Sequence, residues 1–384
     1  MEGSEGMRLV PINCVREGTR LGKTIYNIEG RVLLSKDVKL TEGLINKIRE
    51  NGIMSIYIND EYSDSEIEDV IKPEIRQRAI KVTKDNFKGI VDSKKKNLNR
   101  KKAIETKYKS MEQIKVSVNH ILDDMFNNKD LFINLVDIKS YDNYIYEHSV
   151  NVTTLALAIG IELNLDRDKL FNLAVGTMLH DVGKVLISKD IVMKNREELT
   201  EEENEIIKHH TINGYEYLKD SININAVSRI IVLQHHEKLN GTGYPNKLKN
   251  EQINQLSKIV AVADTYDTLT SHTPNRPGIS PNDALEYMMA YSGVYFEYNI
   301  IKAFMKRVIP YPVGTLVKLS NGDYGVVDSV VPDFPLRPKV RVIRQKATRI
   351  EQLDIDLMKE PGITIKRIQY ESPDLSVQTY LKNK

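Results

Sequence analysis

The sequence has no tryptophan, seven phenylalanines and one cysteine in 384 residues. A single thiol, Cys14, excludes an intrachain disulfide framework and fits a reducing compartment. The shortage of large aromatics argues against a surface built for stacking bases. Long apolar runs are missing too. The longest uncharged one, Val150 to Ile161, holds Asn151 and two threonines and is too short to span a bilayer. No secretory core follows the opening MEGSEG, so a cytoplasmic protein without a transmembrane segment is expected. Charge of one sign is also absent in the sum, since 55 Lys/Arg oppose 53 Asp/Glu. What remains is an ordinary globular composition, long enough for two or three domains.

The pattern along the chain divides it into unlike parts. Residues 7–60 alternate short strand-like runs with one helix that opens at Thr41, which predicts a small α+β regulatory domain. Residues 61–115 are charged. Within them, Lys72 to Lys115 carries 15 basic residues against 5 acidic ones, densest at Lys94 to Lys102. Binding to nucleic acid or an anionic membrane is one reading of this run. A long solvated linker helix is the favoured one, because stacking residues are nearly absent, and no DNA or RNA partner is expected. Residues 116–309 are strongly helical, with segments at Leu131 to Ser140, Tyr144 to Leu163, Arg167 to Leu179, Thr200 to Leu218, Ala226 to Gln234 and Leu256 to Ser271, among others. Residues 310–370 return to strands and predict a small β appendage. The expected fold is therefore mainly α, with a small N-terminal α+β domain and a small C-terminal β unit.

Histidines mark the helical part. His148 shares a helix face with Leu155, Ile159 and Leu163. His180 and Asp181 close the apolar run Ala174 to Leu179, His209-His210 follow Ile206 and Ile207, and His235-His236 follow Ile230, Ile231 and Leu233. Asp264 ends the run Ile259 to Ala263. Taken alone, His180-Asp181 reads equally as a satisfied core histidine beside a helix-capping aspartate. Six of eight histidines at inner helix ends, with two buried-looking aspartates, instead point to metal ligands that offset the cost of burying them. The nitrogen and oxygen donors suffice for two ions. They suit Fe, Mn or Zn rather than Mg or Ca, and the lack of a nearby thiolate disfavours a structural zinc site.

His180-Asp181-Val182-Gly183-Lys184, together with His235-His236-Glu237 and Gly243-Tyr244-Pro245, resembles the HD-GYP family of phosphohydrolases, which hydrolyse cyclic di-GMP. The resemblance extends over about Tyr144 to Ile309 and includes Glu147-His148-Ser149 and Ala263-Asp264. It implies a multi-helix HD-type bundle that holds two divalent transition-metal ions, Fe or Mn. His148, His180, Asp181, His210, His235, His236 and Asp264 would be the ligands, with Asp181 bridging and His209 outside the set. Lys184, Gly243, Tyr244 and Arg276 would meet the substrate, and Lys184 and Asp181 would serve the chemistry. The implied reaction opens cyclic di-GMP to pGpG, and onward to GMP, by a hydroxide activated between two metals. A homodimer and signalling-protein partners are compatible with it. Two departures stand out. Tyr144 occupies the place of a glutamate that binds a third metal in some members, and Thr273 replaces a substrate-binding arginine. Another cyclic dinucleotide or nucleotide as substrate, or a non-catalytic module that binds partners through the Gly-Tyr-Pro surface, are the alternatives.

Overall fold

The computed structural model describes residues 7–371 except 27–30, 52, 54, 61–69, 96–99, 129–143, 193, 195–196, 272–277, 332 and 347–348. The expected helix Leu131 to Ser140, the centre of the Lys94 to Lys102 run, and both Thr273 and Arg276 lie outside the described residues.

The N-terminal unit comprises β1 (Arg8–Pro11), β2 (Arg20–Leu21), β3 (Ile25–Tyr26), β4 (Val32–Leu34), α1 (Glu42–Glu50) and β5 (Ser55–Asn59). β5 lies between β1 and β2 in an antiparallel sheet, and β3 pairs with β4. Thr41 caps α1 through its side chain, which accepts from the Leu44 amide. That cap turns Ile45 and Ile48 onto the sheet, where they join Val10, Leu21, Ile56 and Ile58 in a core of their own.

Next come α2 (Pro73–Lys95) and α3 (Arg100–Asn127), and these correct the expectation of a solvated linker helix. They form a hairpin. The Lys72 amide at the start of one donates to Asp124 near the end of the other at 2.6 Å. Ala79, Phe87 and Ile90 of α2 and Met111, Ile114, Val118, Ile121, Leu122 and Met125 of α3 are buried in the main core. The helical spacing of these apolar residues sets one face inward, and Lys81, Lys88, Lys101, Lys102 and Lys109 lie exposed away from it. A segment average of charge conceals such a stripe.

The main core is built around α4 (Tyr144–Glu162), in which every residue from His148 to Gly160 is buried. A helix apolar nearly all round must be enclosed. α2, α5 (Arg167–Met178), α10 (Gln255–Thr270) and α12 (Tyr298–Arg307) pack against it. Between α5 and α10 run a 3-10 turn (Val182–Leu186), α6 (Lys189–Val192), α7 (Glu201–Lys208), α8 (His210–Leu218) and α9 (Ala226–Gln234), and α11 (Pro281–Ala290) lies before α12.

The predicted single helix from Thr200 to Leu218 is broken at His209. Thr200 and Glu203 do form a reciprocal capping box at its start. At the break, the Ile207 carbonyl accepts from the His210 ring and the Lys208 carbonyl from the Thr211 hydroxyl. Side chains thus take acceptors that the backbone ladder would otherwise use. The C-terminal β6 (Leu316–Leu319), β7 (Tyr324–Ser329), β8 (Lys339–Lys346), β9 (Arg349–Asp356) and β10 (Ile365–Ile368) form an antiparallel sheet in the order β10-β6-β7-β8-β9 with a third core. The fold is mainly α with β units at both ends, as the sequence pattern predicts.

Two glycines carry opposite expectations. A Cβ at Gly183, just after Asp181, would sit 1.9 Å from the His210 carbonyl oxygen, whereas one at Gly89 inside α2 would meet nothing within 4 Å. Gly89→Ala should raise unfolding free energy by about 0.5–1 kcal/mol by restricting the unfolded chain. Gly183→Ala should lower it by about 3 kcal/mol, at the upper end of overpacking effects. Chemical denaturation of both variants beside the parent chain checks this, and a Gly183→Ala variant as stable as the parent would contradict the close packing of α8 on that turn.

Candidate metal centre

Three histidines reach the centre by one local device. The last carbonyls of an α-helix have no intrahelical donor. His180, just past α5, sets its Nδ1 2.6 Å from the Thr177 carbonyl oxygen, and His210 sets its Nδ1 2.6 Å from that of Ile207. His235, at the end of α9, does the same with Val232 at 3.0 Å. Each Nδ1 therefore keeps its proton as a donor to a carbonyl in the last turn of the preceding helix. Each Nε2 is left as a lone pair aimed inward. His148, near the start of α4, has a carboxylate in that role, with its Nδ1 2.6 Å from Oδ2 of Asp267.

These rings meet two carboxylates. Asp181, His210, His235 and His236 offer donor atoms within 4.8 Å of one another, and so do His148, His180 and Asp264. Asp181 faces both groups. Its Oδ1 lies 3.3 Å from Nε2 of His210 and 3.9 Å from that of His235, while its Oδ2 lies 3.6 Å from His180 and 3.7 Å from His148. Asp264 also spans, with Oδ1 3.1 Å from Nε2 of His148 and Oδ2 3.5 Å from Nδ1 of His236. The seven residues expected as ligands are thus brought together from α4, α5, α8, α9 and α10 and the turns that follow them. His209 faces outward, its Nδ1 on the Glu205 carbonyl, and stands apart from the cluster.

Electrostatics separate the rings. Burial lowers the pKa of His180, and lowers His210 to about 4 and His236 to about 3, the Lys184 ammonium adding to the effect. His235 is pushed well below its ordinary value by burial and by His236. Burial opposes charge on His148 as well, but hydrogen bonds to Asp264 and Asp267 outweigh it and push that ring up to about 9. Asp181 is held well below the usual carboxylate range. Burial works against its charge, and Lys184, whose Nζ is 2.6 Å from Oδ2, is the strongest group favouring it.

The donor set therefore fits a cation. Nε2 of His210 and Nε2 of His235 are 3.3 Å apart, both unprotonated at neutral pH. Asp181 Oδ1 beside them is buried with no hydrogen-bond partner among the described residues. Three acceptors that face one another without a donor are costly in a protein interior. A divalent ion satisfies all three, so the cluster supports divalent metal binding.

The loop after His236 closes over this centre. Tyr244 sets its ring 4.6 Å from that of His236. Gly243 is pressed so closely onto the loop's start that a Cβ would lie 2.4 Å from the Lys238 amide nitrogen. Glu237 is buried and accepts from the Asn246 amide at 2.7 Å and the Leu248 amide at 2.9 Å, which fixes the loop's path. Neither Glu237 nor Asp267 figures among the expected site residues. The signal for Asp267 was its spacing of three from Asp264, which puts both carboxylates on one face of α10. Glu237 had only its place beside His236.

Residues 130–300 match a family model described as HD domain, and residues 316–372 match one described as KOW domain associated with HD domain. A cyclic di-GMP phosphodiesterase of Pseudomonas aeruginosa is 33% identical over 233 residues, 61% of this chain and 56% of that protein. A 3'3'-cGAMP-specific phosphodiesterase of Vibrio cholerae is 31% identical over 158 residues, 41% of this chain and 36% of that protein. The chain thus matches little more than half the length of the first relative and about a third of the second. Among solved structures, an HDG"Y"P protein from Bdellovibrio bacteriovorus superposes with a TM-score of 0.48 at 17% identity, over 78% of this chain and 98% of that one.

Metal loading should release a proton. His148 alone of the rings is charged at pH 7, because its pKa is raised to about 9. An ion on its Nε2 competes with that proton below this pH and not above it. Mn2+ affinity should therefore rise by roughly tenfold per pH unit from pH 7 upward and level off as the ring's own pKa is passed. Calorimetric titration in buffers of different ionisation enthalpy should find about one proton released per chain at pH 7. No proton release would mean that His148 is neutral before the metal arrives.

Proposed function

We propose that the chain, whose residues 130–300 match a family model described as HD domain, is a metal-dependent phosphodiesterase that opens cyclic di-GMP to pGpG, with GMP as a further product. The observation that carries this reading is the set of three facing acceptors at Asp181 Oδ1, His210 and His235. Two divalent transition-metal ions, Fe or Mn, are the proposed occupants. One would lie with Asp181, His210, His235 and His236, the other with His148, His180 and Asp264, and Asp181 would serve both. The mixture of imidazole and carboxylate without thiolate supports that choice of metal. When bound, such ions supply a coordinated water of lowered pKa and neutralise phosphoryl oxygens.

The chain's own residues do the rest. Lys184 is partly exposed beside the cluster and brings its ammonium to Asp181, from where it can meet a non-bridging phosphate oxygen as charge builds. Tyr244 lines the entrance with a ring face suited to a base or ribose. Glu237 holds the loop that carries it. Tyr144, whose ring stacks on His148 with centroids 5.5 Å apart, fills space that a third ion would need. The assignment of Gly243 and Arg276 to substrate contacts belongs to the same proposal, as does the division into a regulatory unit over 7–60, a catalytic unit and a β unit over 310–370. The catalytic unit begins at about residue 70 rather than 116, since α2 and α3 share its core. Among the described residues no helix is long and apolar enough to cross a membrane, and a second messenger as substrate supports a cytoplasmic, signalling role.

The relative specific for 3'3'-cGAMP supports a second reading for the substrate alone. Steady-state turnover of cyclic di-GMP, 3'3'-cGAMP and linear pGpG by the Mn-loaded chain tests both. Cyclic di-GMP should have the highest kcat/KM. A preference for the mixed dinucleotide would replace the substrate and keep the chemistry, and no turnover of any of them would overturn the proposal.

Lys184→Ala should retain metal and lose rate by about a hundredfold, the scale of removing one transition-state charge contact. Elemental analysis of the same preparation checks the first half. Loss of metal in this variant would make Lys184 a support for Asp181 and not a substrate contact.

A further inference from the structure

His148 is reached from outside the centre by a line of polar contacts. Its Nδ1 lies 2.6 Å from Asp267 Oδ2, and the other oxygen of Asp267 accepts from the Asn151 side-chain amide at 3.3 Å. The Asn151 carbonyl oxygen accepts in turn from an Arg76 guanidinium nitrogen. Asn151 and Asp267 are buried, as is Ser271, whose hydroxyl lies 3.3 Å from Asp267 Oδ2. Arg76 belongs to the first turn of α2, in the hairpin that the charge pattern had suggested was a mere spacer. α2 also lies against the turn that carries Lys184.

An amide between a cation and a carboxylate has one workable orientation. Its oxygen must face the guanidinium and its NH2 the carboxylate, because the reverse sets donor on donor and acceptor on acceptor. Without Arg76 that buried oxygen loses its donor, and the amide is no longer pinned. Asp267 then loses a fixed neighbour, and the His148 ring loses the rigid acceptor that holds its Nε2 toward Asp264 and His180. Carboxylates that bond a metal-bound histidine from behind influence metal affinity by roughly tenfold to a hundredfold.

We propose that Arg76 is a positioning residue for the metal centre, acting through Asn151 and Asp267 to hold His148, and that it governs retention of the ion on the His148, His180 and Asp264 side only. The inference rests on the metal reading above and not on the identity of the substrate. The second group, Asp181 with His210, His235 and His236, has backbone carbonyls behind two of its rings and no part in this line.

The test uses the full chain as wild type, Arg76→Met, Arg76→Lys and Asn151→Ala, loaded with Co2+ and passed through a desalting column. Elemental analysis then follows cobalt per chain over time, with the visible absorption of the remaining ion. Arg76→Met and Asn151→Ala should lose one of two ions at least about tenfold faster than wild type and keep the other with its absorption unchanged. Arg76→Lys, which retains a donor, should recover most of the retention. Parallel loss of both ions, or loss of neither, would overturn the inference, even if the metal-free variants melt earlier, since a purely structural role predicts that result. If Arg76→Met does not fold, Asn151→Ala and Arg76→Lys carry the same comparison. A wild-type chain that holds no cobalt would overturn the metal reading and this inference together. One that holds two ions and cleaves no cyclic dinucleotide would overturn the substrate alone.

Discussion

The structure depends on one electrostatic constraint, the need to give a buried, unpartnered carboxylate oxygen a cation. Asp181 Oδ1 faces lone pairs of two neutral imidazoles, and among the described residues no donor reaches it. Lys184 satisfies the other oxygen. A bundle that ends several helices on this point concentrates acceptors at its centre and leaves the missing charge to be supplied from outside. The fold is otherwise conventional in its energetics. α4 is buried from His148 to Gly160 against α2, α5, α10 and α12, and the polar cluster gathers near its N-terminal end, at His148.

The helix ends explain why histidine is the residue used. A ring placed just after a helix can give its Nδ1 proton to a carbonyl in that helix's last turn, which fixes the tautomer and turns the other nitrogen inward. His180, His210 and His235 repeat this geometry on three different helices. It also breaks the run from Thr200 to Leu218 in two, because the His210 ring and the Thr211 hydroxyl take carbonyls that a continuous helix would need. His148 is different. It stands near a helix start, where no carbonyl is vacant, and Asp267 supplies the acceptor instead. Its bonds to Asp264 and to Asp267 together make His148 the ring with the raised pKa.

Much of this was legible in the sequence. The apolar runs ending in His-Asp, His-His and Asp placed the cluster residues on separate helices, whereas the glycine and tyrosine of the following loop came only from the family resemblance. What could not be read was any role that depends on contact between distant helices. Asn151 and Glu237 carry no local signature of function and Asp267 only its spacing from Asp264, and each acts through a neighbour many residues away or through a loop amide. Charge misled in a specific way. The described lysines such as Lys81, Lys88, Lys101 and Lys109 lie on the outer faces of α2 and α3, while the residues that decide their placement, Phe87, Ile114 and Val118 among them, are buried and few. Averaged over the segment, the solvated face outweighs the apolar stripe.

Taken with the HD-domain match, the constraint at Asp181 supports a centre in which one carboxylate serves two ions, each completed by imidazoles from separate helices. Anomalous diffraction from crystals grown with Mn2+ tests this most directly, because it locates ions without reference to activity. The account predicts two manganese peaks on opposite sides of Asp181, one ringed by His210, His235 and His236 and the other by His148, His180 and Asp264. A single peak, or peaks that leave Oδ1 of Asp181 without a metal neighbour, would contradict it.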